Sequence, residues 1–115
     1  MLTVAALNEF GADTKDGLTR CMNNEAFYLR MVDMAIGNDG FDKLAAAVEK
    51  GEVPQIFEAA HALKGMLGNL ALTPLFQQAS EITELARAGT DADYAALHSK
   101  LKEEQKKLQA LREES

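Results

Sequence analysis

Apolar residues recur along this 115-residue chain at spacings of three and four, and nowhere do they alternate. That regularity restricts the fold to helices. Phe41, Leu44, Ala45 and Val48 stand at i, i+3, i+4 and i+7, which is one face of an α-helix. Leu75, Ala79, Ile82, Leu85 and Ala86 form a second stripe, and Tyr94, Leu97, Leu101, Leu108 and Leu111 a third. Alternating runs of β-branched residues, the mark of strands, are absent.

Glycine, proline and capping residues divide the helical pattern into pieces. A short first helix is predicted from about Thr3 to Phe10, stopped by Gly11. Asp13, with Asp16 three residues on, predicts a second through about Met22. A third spans about Glu25 to Ile36, with a wide apolar face from Phe27 to Ile36, and the Gly37-Asn38-Asp39-Gly40 run breaks it. Gly51 ends the helix that starts near Phe41. Pro54 suits the first turn of the next helix, which continues to about Ala71. Thr73-Pro74 predicts another start, with Thr73 as N-cap and Pro74 at the first helical position. Gly89 stops that helix, and Thr90 or Asp91 is expected to cap the last one. Glu104 interrupts the final apolar series, so the last two turns are expected to project beyond the core. Short connections make neighbouring helices antiparallel. The expected fold is all-α: an antiparallel four-helix bundle with additional short N-terminal helices, one domain over residues 1–115.

Composition narrows the function. The net charge is −6 and the isoelectric point near 4.8, which argues against nucleic acid as a partner and against anionic membrane surfaces. One cysteine, Cys21, excludes an intramolecular disulfide and suits a reducing compartment. No apolar run approaches the roughly 20 residues of a membrane span, and the first residues lack the basic-then-apolar order of a signal sequence. A cytoplasmic location is expected. Cys21 and the five methionines read as core filling, His98 as a surface residue, and the stretch from Lys100 to Glu114 as a solvated helix face.

One histidine stands out against this background. With about 100° of rotation per residue, Gly65 lies about 40° from His61, Gly68 about 20° the other way, and Lys64 about 60° away. Ile56, Leu63, Leu67 and Leu70 cluster on roughly the opposite side. His61 therefore points outward, beside a cation and above two residues without side chains. Each glycine costs about 1 kcal/mol relative to alanine in a helix interior. Two of them beside one histidine clear a surface that a second protein can approach, or else allow a neighbouring helix to pack closely. Phe57, one turn earlier and about 40° off the direction of His61, is a candidate docking contact or a packing residue. Reflecting His61 through the turn near Leu72 and Thr73 lands close to Thr83 and Glu84, with Arg87 one turn further.

The residues Ala60-His61-x-Leu63-Lys64-Gly65, with Gly68, Asn69 and Leu70 after them, resemble the core motif of histidine-containing phosphotransfer domains, the carriers of phosphorelays. Gly17-Leu18-x-x-Cys21 with Glu25-x-x-Tyr28, and Leu85-Ala86-Arg87-Ala88-Gly89, resemble further segments of that family. The resemblance implies that His61 takes a phosphoryl group on its distal ring nitrogen from a receiver-domain aspartate and hands it to another receiver. It implies that Lys64 steadies the phosphoryl oxygens, and that Gly65 and Gly68 let the partner approach; Phe57 and Ala62 beside them are candidate docking residues. Thr83 stands where the family often has a glutamate that holds the proximal ring nitrogen; its hydroxyl is the candidate acceptor here. Arg87 is a candidate second cation.

The implied partners are response-regulator receiver domains and a hybrid sensor histidine kinase. Magnesium is expected on the receiver, and no metal or cofactor on this chain. A carrier of this kind is not a turnover enzyme. Two other readings fit the residues less well. A receiver-binding or scaffold module without phosphate would not need the His61 surface. A metal-dependent bundle enzyme would need inward Glu-x-x-His pairs on two helices, whereas Glu58-Ala59-Ala60-His61 supplies one, facing outward. The Glu104 break favours a monomer over a coiled-coil dimer, and Met1 with the compact length favours a stand-alone carrier.

Overall fold

Capping side chains and glycines set the helix ends in the computed structural model, which describes residues 1–113. Among the described residues seven helices follow one another: α1 (Val4–Phe10), α2 (Thr14–Arg20), α3 (Glu25–Ile36), α4 (Gly40–Lys50), α5 (Val53–Asn69), α6 (Thr73–Arg87) and α7 (Tyr94–Glu113). Among the described residues there is no strand. Three polar side chains cap α1, α2 and α3 by accepting a backbone amide three residues on. They are Thr3 from Ala6 at 3.1 Å, Asp13 from Asp16 at 3.1 Å, and Asn24 from Phe27 at 3.0 Å. Gly51 closes α4 at φ +70°, in the left-handed region that costs glycine nothing.

Two expected caps are corrected. Thr73 lies inside α6, and its hydroxyl donates back to the Ala71 carbonyl at 3.3 Å instead of capping. Asp93, not Thr90 or Asp91, caps α7 by accepting the Ala96 amide at 3.0 Å. Thr90 instead offers its carbonyl to the Tyr94 hydroxyl at 2.7 Å.

Helices α4 to α7 form the antiparallel four-helix bundle. α5 packs most extensively on α6, then on α4, and α7 lies against α6. Ile56, Ala60, Leu63 and Leu67 of α5 face Leu75, Ala79, Ile82 and Ala86 of α6 across the core. The predicted stripes are thus the buried ones. α1 and α3 lie along α7, with α2 bridging α1 and α3. α1 and α2 are short; α3, at 12 residues, is slightly longer than α4 at 11.

Tyr28 ties this N-terminal layer to the bundle. It is fully buried, and its hydroxyl donates to the Leu70 carbonyl at the end of α5, 2.9 Å away. Burial, then the neighbouring Cys21, Asp13 and Asp16, push its pKa up to about 12. Gly17 of α2 admits the ring: a Cβ there would sit 2.5 Å from Tyr28 Cε1.

Other expectations change. The last turns of α7 do not project: Leu108 is 1% exposed, and α1 covers that end of the helix. Glu104 sits at the edge of this contact and pairs with Lys107 at 3.1 Å. A single polar residue therefore interrupts the stripe without ending the packing. Met22 and Met34 are exposed, while Met31 and Met66 pack against the core and Cys21 is buried. His98 is half-buried, and desolvation followed by nearby Lys102 lowers its pKa. The charged face of α7 is solvated as expected as far as Glu113; Glu114 lies outside the described residues.

Candidate functional site

The inward commitment of Ile56, Ala60, Leu63 and Leu67 leaves His61 and Gly65 on the exposed side of α5. Lys64, one turn from His61, is half-buried beside them. The helical-wheel placement of these three residues therefore holds in three dimensions.

The two glycines differ in what surrounds them. A Cβ at Gly65 would meet nothing within 4 Å, so this chain makes no use of the space. A Cβ at Gly68 would come within 3.1 Å of Phe76 Cε1 on α6, so Gly68 admits an internal neighbour as well as lowering the surface. Of the two readings of these glycines, close helix packing is met at Gly68 and not at Gly65.

Around His61 the side chains form a connected set. The Phe57 ring stacks on the imidazole, with centroids 5.5 Å apart and planes 12° from parallel. The Arg87 guanidinium lies over the Phe57 ring, 5.1 Å from its centroid. Glu84 joins both cations: Oε1 is 3.5 Å from Lys64 Nζ and Oε2 is 3.5 Å from Arg87 Nε. Glu84 thus lies between the two cations, and Arg87 stands beside Phe57, one turn from His61 on the side away from Lys64, where the reflection across the turn predicts it.

Thr83 is not part of this set. It is fully buried, and its hydroxyl donates to the Ala79 carbonyl at 2.7 Å within α6. The expected hydrogen bond to His61 is absent, because Thr83 falls on the inward stripe with Ala79, Ile82 and Ala86. Its neighbour Glu84 is the residue that points outward. Ala62 is exposed too, but it lies on another groove, between α4 and α5, beside Glu58, Lys43 and Lys50.

His61, Lys64, Gly65 and Gly68 form one wall of an open cleft of about 500 Å³. The opposite wall comes from α2 and its cap, through Asp16, Arg20 and Asp13. Arg20 Nε is held by Asp16 Oδ2 at 2.9 Å. Helix α2 is fixed there because the Asp13 amide donates to the Ala71 carbonyl at 2.9 Å. A backbone bond between distant segments has no signature in the sequence, so the second wall was not legible there. Glu84 was within reach of the reflection argument, but its bridging of two cations was not.

Such an arrangement can offer an unbonded imidazole edge, a cation one turn away and an open approach. Among the described residues no three His, Cys, Asp or Glu side chains gather closely enough to hold a metal ion, and no helix is long and apolar enough to cross a membrane. In comparisons with known proteins, the family model described as Hpt domain matches residues 37–114. No curated protein and no solved structure matches the chain.

Proposed function

The chain belongs to the Hpt domain family, whose model spans more than half of its length, and from that premise we propose that His61 is the phosphoacceptor of a phosphorelay carrier. Family membership gives the chain a histidine phosphotransfer role. The observation that carries the assignment to His61 is its setting: an exposed imidazole with Lys64 one turn away and open space at Gly65.

Phosphoryl transfer asks mainly for position and charge stabilisation. The distal nitrogen Nε2 of a neutral imidazole attacks the phosphorus of a receiver's aspartyl phosphate. The N–P bond forms as the P–O bond to the aspartate breaks, and the carboxylate leaves with the electron pair. The imidazole then carries the phosphoryl group and the positive charge of the ring, and the reverse step delivers the group to a second receiver. Lys64 turns from Glu84 towards the phosphoryl oxygens as a point charge. Gly65 lets the receiver's acidic pocket come close. Partners are receiver domains, one of them carried by a hybrid sensor histidine kinase. The magnesium ion that transfer requires is the receiver's. The chain acts as a stoichiometric carrier in the cytoplasm, as a monomer.

The test is transfer from a chemically phosphorylated receiver to the wild-type chain and to His61→Gln. Acid-labile, base-stable label on the wild type and none on the variant is the expected result. Docking of several receivers without transfer would instead support a scaffold module. Label that persists in His61→Gln would move the acceptor elsewhere.

A further inference from the structure

Resting on the phosphoacceptor reading of His61, we propose that Phe57 is its positioning residue. The imidazole is held by its face, through stacking, in place of a hydrogen bond at its edge. Three observations carry this. First, no hydrogen bond to either ring nitrogen of His61 is formed among the described residues, and Thr83, the expected partner, donates to Ala79 instead. An exposed histidine without such a bond is free to change rotamer, and each wrong rotamer removes Nε2 from the line of attack.

Second, the Phe57 ring lies nearly parallel to the imidazole, 12° off, at a centroid distance of 5.5 Å. The two residues are one turn apart on the same helix, a spacing at which side chains meet. Stacking restricts the ring plane and leaves both nitrogens on an open edge, one to attack and one to keep its proton. Third, Phe57 is itself held. It is half-buried against the core, and Arg87 sits over its ring at 5.1 Å while Glu84 anchors Arg87. A surface phenylalanine serving only as a docking contact has no need of that support.

Positioning and docking separate in kinetics. A docking contact acts on half-saturation by the phosphorylated receiver, and a positioning residue acts on the rate at saturation. Phe57→Leu keeps apolar packing beneath the site and removes the stack; Phe57→Tyr keeps both. With a receiver domain phosphorylated by acetyl phosphate as donor, Phe57→Leu is expected to lower the saturating transfer rate about tenfold and to change half-saturation by less than about twofold. Phe57→Tyr should restore the rate. In proton NMR of the unphosphorylated chain, the His61 ring protons should shift upfield in wild type and Phe57→Tyr, and lose that shift in Phe57→Leu.

An unchanged saturating rate with raised half-saturation would overturn the proposal and make Phe57 a docking contact. Equal loss of rate in the leucine and tyrosine variants would overturn it as well, as would the absence of a ring-current shift in the wild type. If the wild-type chain takes no label from receivers that dock on it, the phosphoacceptor reading fails and this proposal fails with it. That result is distinct from a labelled wild type with an unaffected leucine variant, which sinks the proposal alone.

Discussion

Lys64 is already engaged by a carboxylate. Its ammonium is 3.5 Å from Glu84, which also holds Arg87. Exposed ion pairs contribute about 0–1 kcal/mol to stability. Glu84→Gln is therefore expected to leave the unfolding free energy within about 0.5 kcal/mol of wild type. The same substitution removes the competitor for Lys64, so the labelled fraction at equilibrium with a phosphorylated receiver should rise; a fall would show that Glu84 holds Lys64 in place for transfer. At this scale the outward triad of His61, Lys64 and Gly65 was legible in the sequence, because rotation per residue fixes direction around one helix. Thr83 departs from the expectation because direction on a neighbouring helix also depends on how that helix is rotated about its own axis. Its place on the stripe through Ala79, Ile82 and Ala86 was the available signal. A buried threonine then satisfies its hydroxyl on its own helix, four residues back.

The end of α5 shows how an element can be closed at a cost. Ala71 takes φ +55°, and the Leu72 amide reaches back to the Leu67 carbonyl at 3.0 Å. This is the paired-amide closure that usually employs glycine at the left-handed position. An L-residue there costs about 1–2 kcal/mol, while glycine would lose about 0.4–1 kcal/mol through greater freedom of the unfolded chain. Ala71→Gly is accordingly expected to stabilise the fold by about 0.5–1 kcal/mol, read as a higher urea midpoint with an unchanged slope. The existence of each helix was legible from spacing and punctuation. The choice among Thr90, Asp91 and Asp93 as the cap of α7 was not, since several adjacent residues can serve and tertiary packing selects the register. The depth of α7 was also hidden, because the cover over Leu108 comes from α1, at the opposite end of the sequence.

Across the whole molecule, Tyr28 is where the N-terminal layer locks onto the bundle. Removing its hydroxyl leaves the Leu70 carbonyl without its partner, so Tyr28→Phe should cost about 1–3 kcal/mol in chemical denaturation. The pKa of Tyr28 is raised from 10.0 to about 12 in the folded protein. The unfolded chain therefore loses the phenolic proton first. The stability tied to the neutral hydroxyl is complete below pH 10 and is lost as pH climbs from 10 towards 12. Unfolding free energies measured across that window should fall more steeply for wild type than for Tyr28→Phe; parallel curves would place the alkaline sensitivity elsewhere.

The backbone bond from Asp13 to Ala71 has a consequence for how such a molecule can diversify. It fastens α2 across the cleft from His61, so the two walls are written in separate stretches of chain: one in residues 13–20, the other in α5. The imidazole, its aromatic neighbour and the cations beside it depend on α5 and α6 alone. Recharging Asp16 or Arg20 changes the potential over the cleft and leaves His61 and Lys64 where they were. If His61 is the phosphoacceptor, address and chemistry are insulated from each other, and the first can be rewritten without retuning the second.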